Sequence, residues 1–68
     1  MFRAQFYSDT NFRLFYDTVR DAWPDARIVP EPALRLVLLD PGLFEVHEQD
    51  LIELVSDFSG EMLPYGGF

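Results

Sequence analysis

Prolines break the middle of this chain into segments too short for a helix, and this restricts the folds that it can adopt. Pro24 disfavours helical geometry at the residue before it, so a helix that reaches this point must end near Trp23. The motif PEP at 30–32 separates two runs rich in Ile, Val and Leu, at 26–29 and 34–39. Because the link is much shorter than the roughly dozen residues that a parallel crossover needs, the two runs are predicted to form an antiparallel hairpin.

The segments on either side of this hairpin show the periodicities of one strand and two helices. Residues 1–7 alternate between apolar and polar side chains, which is typical of a half-buried strand. Apolar residues recur at helical spacing in 10–23 and again in 47–60. The sequence DPG at 40–42 carries the residues of a type II turn and is predicted to end the third strand. The tail, 61–68, is too short and too rich in glycine for a helix, and either adds a short strand or folds back.

The order β-α-β-β-α predicts an α+β fold in which residues 1–68 form a single domain. Three strands would make one sheet, with both helices packed on the same face. Because the chain has no Cys for disulfides, its seven Phe and single Trp are the residues expected to stabilise so small a core. The sheet residues predicted to face the helices are Phe2, Ala4, Phe6, Ile28, Leu34, Leu36 and Leu38.

The opposite face of the predicted sheet combines positive charge with apolar and aromatic groups. Its strands would direct Arg3, Gln5, Tyr7, Arg27, Val29, Arg35, Val37 and Leu39 away from the helices. Exposed apolar patches that also contain Arg and Tyr are typical of protein interfaces. We therefore predict a surface for self-association, as in a homodimer, that consists of Arg3, Tyr7, Arg27, Arg35 and Val37.

The net charge of −7 comes entirely from the C-terminal part of the chain. Residues 1–39 hold five acidic residues and five Arg, whereas residues 40–68 hold seven acidic residues and no Lys or Arg. Such a surface repels phosphate backbones and anionic membranes and attracts basic protein surfaces. We therefore expect no direct binding of nucleic acid or membrane, and an acidic partner-binding face made of Glu45, Glu48, Asp50, Glu53, Asp57 and Glu61.

The chain lacks the residues on which most catalytic and metal sites depend. It has no Cys and no Lys, and its single His is His47. The zinc motif HExxH needs a second His where this chain has Leu51, and a calcium loop of the EF-hand kind needs a central Gly that is missing here. We predict a protein that is not an enzyme and binds no metal or cofactor. The remaining catalytic alternative pairs His47 with a neighbouring carboxylate as general acid and base.

Two functional hypotheses follow from the charge and from the sheet. In the first, a small acidic protein binds a protein partner with a basic surface, such as a nucleic-acid-binding protein or complex, and inhibits it by competing with nucleic acid. In size and charge alone it is similar to phage-encoded inhibitors, including anti-CRISPR proteins and host-takeover proteins. In the second, the chain is a homo-oligomeric structural domain or subunit, and its acidic helix is only a solvated surface that aids solubility.

The start of the chain and its apolar runs predict a cytoplasmic location. No run of seven or more apolar residues follows Arg3, as a secretory signal would require. No segment approaches the roughly 20 apolar residues that a membrane span needs.

Overall fold

Residues 2–63, which are those that the computed structural model describes, form a four-stranded antiparallel sheet with two helices on one face. The elements are β1 (Phe2–Gln5), α1 (Asp9–Ala22), β2 (Ile28–Glu31), a 3-10 turn (Pro32–Leu34), β3 (Leu36–Leu39), α2 (Pro41–Asp57) and β4 (Glu61–Leu63). The strand order in space is β2-β3-β1-β4. The α+β class and the β2-β3 hairpin are confirmed, but β4 adds a strand from the predicted tail to the predicted three. The rest of that tail, 64–68, lies outside the described residues.

Helix α1 begins and ends where nearby groups satisfy its free backbone atoms. The Asn11 N–H donates to Ser8 Oγ at 3.1 Å, which caps the first turn. The Trp23 N–H donates to the Val19 carbonyl at 2.9 Å, and the proline that follows prevents a further turn. The predicted helix 10–23 therefore agrees with α1 to within one residue at each end.

The core lies between the sheet and the two helices, and aromatic side chains fill its centre. Phe15 of α1 is fully buried, and the centroid of its ring lies 4.8 Å from that of Phe6 and 6.4 Å from that of Phe58. Phe2 stacks on Phe44 with centroids 4.0 Å apart. These rings connect the sheet to both helices. The other buried members of this cluster are Ala4, Phe12, Val19, Val37, Leu39, Leu51 and Val55.

Strand β3 presents the opposite face to the one predicted. Val37 pairs with Ala4 of β1 and, like Leu39, is fully buried in the core. The sequence predicts that Leu36 and Leu38 face the helices, but by strand alternation they point to the other side of the sheet. Because all four residues of β3 are apolar, the pattern does not decide which pair is inside, and a shift of one residue exchanges the two faces.

The turn before β3 determines which residues of this strand face the core. The 3-10 turn Pro32–Leu34 leaves the side chain of Leu34 61 % exposed. Arg35 follows in the left-handed conformation, with φ 52°. This conformation interrupts the extended chain, so the alternation starts at Leu36 instead of continuing from residue 34. The predicted strand 34–39 is therefore two residues too long at its start, and Leu34 is not a core residue.

Two other strands also differ from their predicted bounds: the strand predicted at 26–29 is shifted by two residues, to Ile28–Glu31, and the strand predicted at 1–7 ends two residues early. The strand predicted at 26–29 begins at Ile28, because the Ala26 N–H donates to a carbonyl of the turn after α1 at 3.1 Å. The strand predicted at 1–7 ends at Gln5. Backbone pairing nevertheless continues for one residue, since the Phe6 N–H donates to the Arg35 carbonyl at 2.9 Å.

Helix α2 starts at Pro41, six residues before the predicted helix 47–60. The Gly42 N–H donates to Asp40 Oδ1 at 2.8 Å, and proline at the first helical position lacks only an N–H that would have had no helical partner. This segment is therefore a helix N-terminus and not the predicted type II turn. His47 has non-helical backbone angles, φ −117° and ψ 32°, so α2 is broken at the residue where the predicted helix begins.

The end of α2 explains why a strand can follow it directly. Ser59 adopts the left-handed conformation, with φ 57°. The Gly60 N–H donates to the Val55 carbonyl at 2.7 Å and the Ser59 N–H to the Ser56 carbonyl at 3.0 Å, which are the two bonds of a Schellman motif. Gly60 is required for a different reason, because a Cβ at this position would collide with the Phe6 ring. Its small size lets the chain pass close to β1 and enter β4.

Candidate functional site

The acidic residues predicted to bind a partner are all exposed. Neither α2 nor β4 contains a Lys or Arg. Within residues 2–63, none of these carboxylates forms an ion pair with an arginine. Within the described part of the chain, no arginine therefore neutralises their negative charge. The residues are Glu45, Glu48, Asp50, Glu53, Asp57 and Glu61.

The structure brings only part of this set together on one surface. With 3.6 residues per turn, Asp50, Glu53 and Asp57 lie within an arc of about 60° on the side of α2 away from the core, and we call them the acidic stripe. Glu48 lies about 160° from Asp50 around the helix. Glu45 precedes the break in α2, so its direction is not fixed by the same helical turn.

Glu61 is predicted to be part of the acidic face, just past the helix 47–60, but it does not lie on the surface of α2. It is the first residue of β4 and pairs with Gln5, because the Schellman motif has already ended α2. The Tyr7 hydroxyl donates to Glu61 Oε2 at 2.7 Å. This hydrogen bond and the negative charge of Glu61 hold the pKa of Tyr7 above its ordinary value. The two residues come from two predicted surfaces, and their hydrogen bond joins the segment after β1 to the start of β4.

The face of the sheet that points away from the helices is more apolar than the sequence predicts. Leu38 lies at its centre, paired with Arg3 of β1 and Val29 of β2. Leu36 on the same strand is 8 % exposed, and Gln5 covers one end by donating from Nε2 to the Leu34 carbonyl at 2.6 Å. We call this surface the outer sheet face. It consists of Arg3, Gln5, Val29, Glu31, Leu36, Leu38, Glu61 and Leu63.

The five residues predicted to mediate self-association are only partly on this face. The prediction for Val37 is wrong, because this residue is fully buried beneath the helices. Arg35 is also misplaced: its left-handed backbone directs Nε to Asp9 Oδ1 of α1 at 3.0 Å, on the helix side. Arg3 lies on the outer sheet face, and Arg27 is exposed just before β2. Tyr7, the fifth residue, is 67 % exposed and donates its hydrogen bond to Glu61 of β4.

A groove of about 450 Å³, which the sequence does not predict, lies between the end of α1 and the start of α2. Its apolar walls include Trp23, Leu43 and Val46, and the carboxylates of Asp25 and Asp40 also line it. We call it the Trp23 groove. Its walls come from two segments that the β2-β3 hairpin separates, so no local pattern reveals it. The sequence feature that could have indicated this groove is the single Trp, which directly precedes a proline at a helix end.

His47 lies in this groove and contacts the tryptophan. The centroids of the His47 and Trp23 rings are 4.8 Å apart, with an angle of 37° between the ring planes. Nδ1 of His47 is 3.9 Å from Oδ2 of Asp50, which is too long for a hydrogen bond. His47 therefore forms no hydrogen bond with Asp50, one of the carboxylates near it in sequence. The arrangement instead places an aromatic pair beside exposed carboxylates.

Comparisons with protein-family models, with curated proteins and with solved structures found no match. Within the described part of the chain, no helix is long and apolar enough to cross a membrane. Residues 2–63 also contain no group of three or more His, Asp and Glu side chains arranged to hold a metal ion.

Proposed function

We propose that this protein binds a partner with a basic surface through the carboxylates of α2, and that it inhibits this partner by competing with nucleic acid. The observation that carries the proposal is the uncompensated charge of the helix: α2 contains five acidic residues and no Lys or Arg. Its acidic stripe points away from the core on a regular helical scaffold. Carboxylates in this position are available to Lys and Arg side chains of another protein.

The cost of this charge to the helix supports a role in binding. Glu53 and Asp57 are four residues apart, and like charges at this spacing destabilise a helix by about 0.2–0.5 kcal/mol. Asp57 is also the last residue of α2, where the helix dipole favours a cation over an anion. A sequence selected only for stability and solubility would place a basic residue at one of these positions. The arrangement is therefore better explained by a requirement for negative charge.

The charge density of the acidic stripe is of the same order as that of a nucleic-acid strand. Asp50 and Asp57 are seven residues apart, so three carboxylates extend over about 10.5 Å of helix axis. A nucleic-acid strand places one phosphate about every 3.4 Å along its axis. A basic groove that binds a phosphate backbone would therefore attract the stripe, with fast and salt-sensitive association. This is the basis for competition with nucleic acid.

The test is capture of nucleic-acid-binding proteins by the immobilised chain at low salt. We expect duplex DNA and high salt to release the captured partner, because both compete for the same basic surface. The charge reversal Glu53→Lys with Asp57→Lys should abolish capture. The matched control is Asp17→Lys with Asp21→Lys, which makes the same change of charge on exposed positions of α1. Equal capture by both double variants would refute the role of the acidic stripe.

The outer sheet face favours a second function, self-association as a structural domain or subunit. Leu38, Val29 and Leu63 point away from the helices, and a second copy would cover them. Sedimentation across a dilution series tests this, and we expect a dimer that Leu38→Glu converts to a monomer. A wild-type chain that stays monomeric at all concentrations would exclude this function. The two functions are compatible, because a dimer built on the outer sheet face leaves α2 facing outward.

A further inference from the structure

We infer that the Trp23 groove binds an arginine side chain of the partner, with the indole ring as its stacking surface. The inference rests on the proposed function, because the partner's basic surface is the source of this arginine. It goes further by naming the side chain that is bound and a site outside the acidic stripe. The groove volume of about 450 Å³ lies within the roughly 300–1,000 Å³ typical of ligand pockets.

The floor of the groove is held in place by the elements around it. The Trp23 N–H is bonded to the last turn of α1 at 2.9 Å, and its carbonyl accepts from the Ala26 N–H at 3.1 Å. The indole ring contacts the His47 ring in a tilted arrangement, and His47 lies at the break in α2. Both the backbone and the ring of the tryptophan are therefore positioned before any ligand arrives. Such preorganisation lowers the entropic cost of binding.

The charge of the groove is complementary to a cation. Asp25 and Asp40 supply two carboxylates, and the residues that line the groove include no arginine. One oxygen of Asp40 accepts the N-cap bond from Gly42, and no hydrogen bond within residues 2–63 uses the other oxygen. A guanidinium group in the groove would therefore find acceptors that the domain leaves available.

The combination of an indole with carboxylates favours arginine over other cations. A planar guanidinium stacks on an aromatic ring while its N–H groups donate to carboxylates, which an ammonium group does less well. The apolar wall suits the methylene groups of the same side chain. Val46 in this wall is 74 % exposed, so the core of the domain does not account for its position. An arginine side chain would contact the indole, the carboxylates and this valine together.

The single tryptophan makes the test specific to the groove. Titration with N-acetyl-arginine amide should change the fluorescence of Trp23 in a saturable way. The affinity of the neutral isostere N-acetyl-citrulline amide should be lower by about tenfold, because this compound lacks the charge that the carboxylates recognise. Asp40→Asn should weaken the arginine response about tenfold while keeping a good N-cap residue. Asp17→Asn, at an exposed position of α1 outside the groove, should leave the response unchanged.

Several results would overturn the inference and would separate it from the proposed function. Equal responses to the arginine and citrulline compounds would overturn it, and so would an unchanged response in both Asp25→Asn and Asp40→Asn. If these results occurred while the Glu53/Asp57 reversal still abolished capture, the inference would fail and the proposed function would remain. If arginine bound in the groove but the reversal left capture intact, only the proposed function would fail.

Discussion

Helices α1 and α2 pack on the same face of the sheet but carry different kinds of surface. Helix α1 contains three acidic residues and two Arg, whereas α2 contains five acidic residues and no Lys or Arg. Helix α1 is continuous, but α2 is broken at His47. Both provide buried side chains, so both contribute to the core. The difference between the helices lies in charge and continuity: α1 carries both signs of charge along one unbroken helix, whereas α2 carries only carboxylates besides His47 and is broken.

The largest expected effect tests the structural role of α1. Phe15→Ala removes a fully buried ring that contacts Phe6 and Phe58. Such a change lowers the free energy of unfolding by about 3–5 kcal/mol. A domain of this size has about 3–10 kcal/mol in total, so the variant should be partly or fully unfolded at room temperature. Urea denaturation followed by circular dichroism measures the loss.

The control for this variant is a neighbour on the same helix. Leu14 is 47 % exposed, so Leu14→Ala should change the free energy of unfolding by no more than about 0.5 kcal/mol. If both substitutions reduced stability equally, the assignment of the buried side of α1 would be wrong.

The next largest effect tests the junction between α2 and β4. Gly60→Ala adds a Cβ that would lie 2.7 Å from Cδ1 of Phe6 and 3.0 Å from the Gln5 carbonyl oxygen. Overpacking of this kind costs about 1–3 kcal/mol, which thermal unfolding would detect as a lower melting temperature. The neighbouring change Ser59→Gly should instead stabilise by up to about 1 kcal/mol, because glycine adopts the left-handed conformation without strain. Two changes of the same sign would contradict this account of the junction.

The two helices also differ in how far their sequences predict them. Helix α1 is predicted closely because its apolar side chains recur on one side and Pro24 ends it. The start of α2 is missed because aspartate followed by proline suits both a turn and a helix N-terminus. Only the hydrogen bond from Gly42 to Asp40 decides between them. The sequence therefore locates the second part of α2 but not the first.

The candidate sites are predicted less well than the helices, because they depend on tertiary structure. The four residues of β3 are all apolar, so their faces depend on pairing with β1, and Val37 is predicted on the wrong side. Exposure of the acidic residues follows from their charge and is confirmed. Their separation into an acidic stripe and a sheet residue, Glu61, depends on where α2 ends. The Trp23 groove joins segments that are distant in sequence, which no local pattern can show.

A smaller effect should have opposite signs in the two helices. Glu53→Lys places a cation between Asp50 and Asp57 on the acidic stripe and should raise the free energy of unfolding by about 0.2–0.5 kcal/mol. Asp17→Lys puts a cation four residues after Arg13 and three before Arg20 on α1, and these two repulsions outweigh the new pair with Asp21, so it should lower the free energy of unfolding by a similar amount. Shifts of the urea midpoint with unchanged slope would measure both. Loss of stability in both variants would show that the stripe is not under repulsion.

The smallest expected effect concerns Glu61, the predicted acidic-face residue that lies in β4 and not in α2. The hydrogen bond to Glu61, together with its charge, raises the pKa of Tyr7 because both favour the protonated phenol. The stabilising contribution of this pair is therefore present below the ordinary pKa range of tyrosine, and it is lost as pH rises through the raised pKa of Tyr7. Glu61→Ala should lower the pKa of Tyr7 towards its ordinary value, and a titration of the tyrosine ring signals by NMR would measure the shift.

Two further variants separate the hydrogen bond from the general negative charge of the domain. Glu61→Gln retains an acceptor but removes the charge, so the pKa of Tyr7 should fall by less than in Glu61→Ala. Glu31→Gln removes a charge from the same face of the sheet and should leave this pKa unchanged, because Glu31 lies on the edge strand β2. Equal shifts in all three variants would mean that overall charge controls Tyr7. Glu61 would then affect Tyr7 only as part of the overall negative charge, and its hydrogen bond would have no specific effect on this pKa.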